Sequence, residues 1–182
     1  MRFLAAGQQA KVFLNGEEMI HHFGGYSTFT CELSGKLKSG DNQVDVWVSN
    51  ASDNTVAPIS GDFNFYGGLY RGVQLISAPT ISISRKYYGG QGVRIWSEKV
   101  SDQQADLNVK ARIDNGSDKK AYLNLLTSLV DPLGKVVASG SLKLEVDAGH
   151  TQLANIPMPE VMNPKLWSPE DPTLYQLKIE VK

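Results

Sequence analysis

Lys11-Val12-Phe13-Leu14-Asn15-Gly16-Glu17-Glu18-Met19-Ile20 sets an Asn-Gly pair between two apolar runs. Glycine has no Cβ to clash and asparagine tolerates the left-handed region, so the pair favours the positive backbone angles of a two-residue hairpin turn. The stretch reads as a β-hairpin, and its neighbours keep the same period. Phe29, Cys31 and Leu33 alternate with polar residues in 27–33, the pattern of a strand with one buried face. After a loop with Gly35, Gly40, Asp41 and Asn42, Val44, Val46 and Val48 alternate with Gln43, Asp45 and Trp47, a second such strand. Residues 50–60 are polar, with Pro58 near the end, and Val73 to Ile76 reads as one more short strand.

Ala78-Pro79 marks a boundary, because proline cannot donate to a ladder and the apolar pattern restarts at Ile81 and Ile83. Strands are then expected at 93–96, 107–113, 121–130, 136–139, 142–146, 152–156 and 174–181. Turns fall at Asp114-Asn115-Gly116-Ser117 and Asp131-Pro132-Leu133-Gly134. About seven or eight short strands in about 100 residues argue for an immunoglobulin-like sandwich. No long helical period and no internal repeat appears. The chain is therefore all-β, with one domain over 1–78 and another over 79–182. The first supplies about five strands, roughly half of a closed two-sheet jelly roll, and reads as a truncated one. Its uncovered sheet face is expected to be hidden by self-association, domain swapping or disorder.

Eighteen Lys and Arg against 19 Asp and Glu leave a net charge of −1, with no basic run. That gives no electrostatic footprint for nucleic acid or an anionic membrane. No apolar segment approaches the roughly 20 residues of a membrane span, and the start is too short and too quickly polar for a secretory signal. Cys31 stands alone, which excludes an internal disulfide framework and a cysteine-based metal cluster and does not choose between cytoplasm and periplasm. Asn50-Ala51-Ser52 and Asn115-Gly116-Ser117 match the glycosylation triplet, a pattern common by chance.

Gly61-Asp62-Phe63-Asn64-Phe65-Tyr66-Gly67-Gly68-Leu69-Tyr70-Arg71-Gly72-Val73 packs four glycines, four aromatics, one acid and one base into thirteen positions. One reading is a glycine-rich connection whose rings close the core edge. The other is sugar recognition, in which rings stack on C–H faces while charged groups bind hydroxyls. Arg71 reads as structural, pairing with an acid or with carbonyls beneath the loop. Elsewhere the signals are weak. His21 and His22 are adjacent on a strand and point to opposite faces, so they do not chelate one ion. Glu17-Glu18 and Glu170-Asp171 read as solvated turn acids with no companion at catalytic distance. Trp167 reads as a core or domain-joint anchor. Ser27, Ser60 and Ser168 lack a nucleophile-elbow context, which argues against a hydrolytic triad.

Three blocks in order resemble one family. Phe13-Leu14-Asn15-Gly16, followed by Gly24-Gly25-Tyr26 and Phe29, is similar to the hairpin and next strand of the sugar-binding domain in family 2 glycoside hydrolases. Gly61-Asp62 through Gly67-Gly68-Leu69-Tyr70-Arg71 and Val73 resembles that domain's closing motif in β-galactosidases. Asn163-Pro164-Lys165-Leu166-Trp167-Ser168-Pro169-Glu170-Asp171-Pro172, with Leu174-Tyr175, looks like the end of the immunoglobulin-like domain that follows. The resemblance covers the whole chain.

It implies a retaining β-galactosidase whose two catalytic glutamates lie in a later (β/α)8 barrel, about 5 Å apart. On that basis the chain holds no catalytic residue, starts partway through the first domain and stops before the barrel. Met1 is then an artificial or internal start. The resemblance gives Asp62 a reach into the barrel's site, binding galactose hydroxyls and a nearby sodium ion, for which a carboxylate has the right oxygens. Gly61, Gly67, Gly68 and Arg71 become the scaffold of its loop. Asn64 and Tyr66 depart from the best-known pattern, which opens the sugar specificity. No cofactor is expected in this chain, sodium and magnesium in the whole enzyme, and a β-galactoside as its partner. Two other classes stay open: a free carbohydrate-binding module with Phe63, Phe65, Tyr66 and Tyr70 as platform, and a structural tandem without ligand.

Overall fold

A computed structural model describes residues 1–58 and 60–182; position 59, inside the stretch read as a polar loop, lies outside the described residues. The chain is all-β and folds into two compact units. The first is residues 1–77 with 85–90, the second residues 78–84 with 91–182.

In the first unit, β1 (Arg2–Phe3), β4 (Phe29–Thr30) and β6 (Val73–Gln74) form one antiparallel sheet in the order β4-β1-β6. β2 (Gln9–Leu14), β3 (Glu17–Phe23) and β5 (Val44–Ser49) form the other, in the order β3-β2-β5. The expected hairpin is β2–β3. Asn15 (φ 52°) and Gly16 (φ 86°) both take the left-handed conformation that such a turn needs. A Cβ on Gly16 would meet nothing within 4 Å, so backbone angle and not space selects glycine there. Val12 faces Ile20 and Phe13 faces Glu18, which leaves Met19 as a bulge. Met19 and Ile20 consequently both reach the core.

That core is Phe3, Ala6, Ala10, Val12, Leu14, Phe29, Cys31 and Leu33. Phe3 and Phe29 stack with centroids 4.7 Å apart, and burying each ring stabilises by about 1.5–3 kcal/mol. Burial also pushes the Cys31 thiol's pKa up, so this lone cysteine is a packed apolar group. The strand expected over 27–33 keeps its alternation of burial, yet only Phe29–Thr30 joins a ladder. Residues 85–90 complete the unit: Lys86 Nζ lies 3.0 Å from Glu32 Oε2, and Gly89 sits against Thr28. A Cβ on Gly89 would come within 2.9 Å of the Thr28 carbonyl oxygen.

The second unit is a sandwich of two sheets. β9 (Gln104–Asn115) is the spine of one, pairing β12 (Thr151–Ile156) and β13 (Val161–Met162), and also β7 (Ile81–Ile83) and β8 (Val93–Glu98). β10 (Ala121–Val130) lies between β11 (Val136–Val146) and β14 (Gln176–Val181) in the other. Val109, Ala111, Ile113, Leu125, Val146, Ala154 and Ile156 fill the space between them. Two expected strands, 136–139 and 142–146, are one continuous strand. Gly140 between them is no breaker: a Cβ there would lie 2.1 Å from the Pro157 carbonyl oxygen, so glycine admits a neighbouring backbone.

Asn115, 1% exposed, ties the turn after β9. Its Nδ2 donates to the carbonyls of Lys119, Val146 and Asp147 at 2.7, 2.9 and 3.3 Å, and its Oδ1 accepts from Ser117 N and Oγ at 3.0 and 2.6 Å. The Asn115 triplet is therefore a buried capping device, with no amide free for a glycan. Trp167, expected as a core or domain-joint anchor, is 59% exposed and so lies in neither unit's core.

Candidate functional site

Residues 61–72 form no ladder and are pinned to the first unit by single bonds. Gly7 N donates to Gly68 O at 2.8 Å and Leu4 N to Gly72 O at 3.1 Å. Asn50 Nδ2, one residue past the end of β5, donates to Phe65 O at 2.9 Å. The Tyr70 hydroxyl donates to the Gly25 carbonyl. Gly68 takes φ 78°, and a Cβ on Gly67 would lie 3.1 Å from Asn50 Cγ. The Phe63 ring folds over Gly61, 2.6 Å from where a Cβ would stand. A Cβ on Gly72 would make only an ordinary contact with Leu4, 3.6 Å away.

This loop and two further segments enclose a pocket of about 400 Å³. Its backbone wall comes from Gly7 and Gly25, whose closeness leaves a Cβ on Gly25 only 3.0 Å from the Gly7 carbonyl oxygen. Five rings line it: Tyr26, Phe63, Phe65, Tyr66 and Tyr70. Phe63 and Phe65 meet at 5.1 Å between centroids, and Tyr26 meets Tyr70 edge-on at 6.5 Å. Gln8 and Asn64 add amides, the three tyrosines add hydroxyls, and none of the described lining residues is charged. A cavity of this size with apolar walls and few polar groups suits a small ring-shaped molecule.

Asp62 is exposed, beside Phe63 in the chain and outside the lining, and has no hydrogen-bond or ion-pair partner among the described residues. Arg71 does not pair with an acid or a carbonyl among the described residues: it is exposed, its guanidinium 5.8 Å from the Tyr70 ring centroid. Phe63, Phe65, Tyr66 and Tyr70 are brought together, and the fold adds Tyr26 and Gln8 from distant segments. Those two, with the positioning amide of Asn50, escaped the sequence reading. Gly24-Gly25-Tyr26 offered the one visible signal, a glycine pair leading into an aromatic.

His21 is exposed beside Phe23, whereas His22 stacks on Phe29 at 4.1 Å, so the two imidazoles do occupy opposite faces. Ser27 Oγ comes within 3.3 Å of His22 Nε2, but that nitrogen also lies 3.0 Å from Gly24 O. A nitrogen donating to a carbonyl carries a proton, so it does not serve Ser27 as a base. Burial lowers the His22 pKa, opposed by the Gly24 bond. Glu17 and Glu18 lie in β3 rather than in a turn, held by Lys36 at 2.9 Å and Lys11 at 3.0 Å. Asp171 is held by Lys165 at 2.9 Å, and the bonds from Lys165 and Thr173 lower its pKa. Among the described residues no group of three or more His, Cys, Asp or Glu gathers as a metal site. A hard cation takes about six or more oxygens, so the described residues do not by themselves fit a sodium ion at Asp62.

Residues 91–182 match the model of the glycosyl hydrolases family 2. A β-glucuronidase of Bacteroides fragilis is 34% identical over 184 aligned residues, covering 100% of this chain and 26% of that protein. A β-galactosidase of Bacteroides ovatus is 30% identical over 94% of this chain and 19% of its own length. The crystal structure of a Bacteroides uniformis β-glucuronidase superposes with a TM-score of 0.95 at 32% identity, over 100% of this chain and 22% of that one. The chain thus spans about a quarter or less of the relatives it matches.

Proposed function

The chain belongs to glycoside hydrolase family 2, and we propose that it serves a retaining β-glycosidase as a non-catalytic brace that lends one loop to the substrate site. The carrying observation is the 61–72 loop, whose backbone is fixed by Gly7, Leu4 and Asn50 while Asp62 stays exposed and unpaired among the described residues. A carboxylate held that way accepts two hydroxyl hydrogens from a sugar without first breaking an internal bond. The catalytic pair, in this reading, comes from a barrel outside these 182 residues. Any sodium at Asp62, or magnesium elsewhere in the enzyme, draws its further oxygens from outside the chain too.

The relatives' names favour a β-glucuronide as the substrate, with a β-galactoside as the second reading. The purified 182-residue chain is expected to leave 4-nitrophenyl β-glucuronide and β-galactoside intact. In a barrel-bearing protein that contains this chain, Asp62→Ala is expected to lower kcat/KM about 10-fold or more, the loss of one or two charge-assisted hydrogen bonds. Hydrolysis by the chain alone sinks the brace reading, and an unchanged kcat/KM removes Asp62 from the site.

A further inference from the structure

The outer face of the sheet built on β9 carries positive charge that its own acids do not match. Val109, Ala111 and Ile113 point into the core, which turns Asn108, Lys110 and Arg112 outward. Arg94 on β8 and Asn155 on β12 both stand directly opposite Lys110, so one row across three strands reads Arg94, Lys110, Asn155. Like charges set opposite each other in a ladder destabilise it. The Arg94 guanidinium carbon lies 5.2 Å and the Lys110 ammonium nitrogen 5.3 Å from the Trp96 ring centroid, which offsets part of that repulsion. Neither cation has an ion pair or a side-chain hydrogen bond among the described residues. The acids of the same face are already engaged. Glu98 accepts from the Trp96 indole N–H at 2.9 Å, Asp106 pairs with Lys99 at 3.3 Å, and Asp114 accepts from the Thr151 hydroxyl at 2.6 Å.

We propose that Arg94 and Lys110 bind the oxyanion of an acidic glycan, a carboxylate or a sulfate ester, while the Asn108 and Asn155 amides take the neighbouring hydroxyls. Resting on the glycosidase reading, this makes the second unit a hold on an acidic polysaccharide substrate. Three features select that ligand. Two cations in one row match a single oxyanion, to which a guanidinium presents paired donors. The two amides, opposite Trp96 and Lys110, have no side-chain hydrogen-bond partner among the described residues and suit hydroxyls beside the anion. A nucleic acid strand, with regularly spaced phosphates, calls for cations along a path, and here Asp106 and Asp114 close the path at either end of β9.

The probes are dextran sulfate and carboxymethyl dextran, titrated calorimetrically into the 182-residue chain beside plain dextran and polyglutamate. Saturation by at least one anionic dextran is expected, tighter than by polyglutamate and absent with plain dextran. The tighter of the two names the sulfate or the carboxylate as the group that is read. Arg94→Gln, at an exposed position, and Lys110→Gln are each expected to weaken that binding about 5- to 10-fold. Lys143→Gln, exposed on β11 of the other sheet, removes the same charge and is expected to leave the affinity unchanged. No binding of either anionic dextran, polyglutamate or plain dextran bound as tightly, or a loss in Lys143→Gln as large as in the other two overturns the proposal. None of these readings involves turnover or Asp62, so this site and the brace reading stand or fall separately.

Discussion

The β10–β11 ladder of the second unit and the 61–72 loop of the first are held in opposite ways. The ladder runs from Ala121 to Val130 with a partner at every step but a single bulge. The loop hangs on a few isolated bonds, from Gly7, Leu4, Asn50 and Tyr70. Removing one contact from a ladder leaves its neighbours in register, whereas each tether of the loop fixes several residues alone. The ladder is accordingly vulnerable where something must fit between sheets, and the loop is vulnerable at its tethers.

Gly140→Ala tests the first half and is expected to cost most. Its Cβ would collide with the Pro157 backbone at 2.1 Å, so about 3 kcal/mol of stability should disappear from the second unit, read as a lower urea midpoint. Asn115→Leu comes next: five bonds vanish, and the carbonyls of Lys119, Val146 and Asp147, of which only Val146 belongs to a buried residue, lose the Asn115 amide, for a loss of about 2–3 kcal/mol. A change confined to the exchange of amides at 115–119 would mean that the turn is not integral to the sandwich.

Tyr70→Phe tests the loop. It removes only the bond to Gly25 and is expected to cost about 1 kcal/mol, with faster hydrogen exchange over 61–72 and none of it in the second unit. Exchange quickening evenly across the chain would deny that the loop hangs by separate tethers. The smallest effect belongs to His22. Its folded pKa is depressed by burial, so the unfolded state takes up its proton first. Stability of the first unit should then fall as pH drops below about 6.5, and His22→Gln should flatten that slope in acid titrations followed by circular dichroism.

Legibility follows the same division. Alternation is a local signal, so the hairpin at Asn15-Gly16 and the strands of the second unit could be read directly from residue order. The two-residue strands β1 and β13 could not, because two residues carry no period. The break expected between 139 and 142 does not form for a related reason: the sequence shows a glycine, and only packing shows whether it turns a chain or admits one. The loop stood out by composition, but the pocket did not, because Gln8 and Tyr26 arrive from segments whose sequence distance from Phe63 hides their closeness. Arg71 was expected to find an acid or carbonyls beneath the loop and found a ring, and nothing in its neighbours distinguishes those outcomes.

Residues 85–90 belong to the first unit although the chain has already begun the second with β7. No single cleavage separates the units with all their residues. A recombination crossover at position 78, the natural guess for exchanging this region between relatives, would hand over a first unit stripped of Lys86 and Gly89. Successful chimaeras should instead carry 1–90 as an inheritable block, and the donor's β7 would have to travel with it.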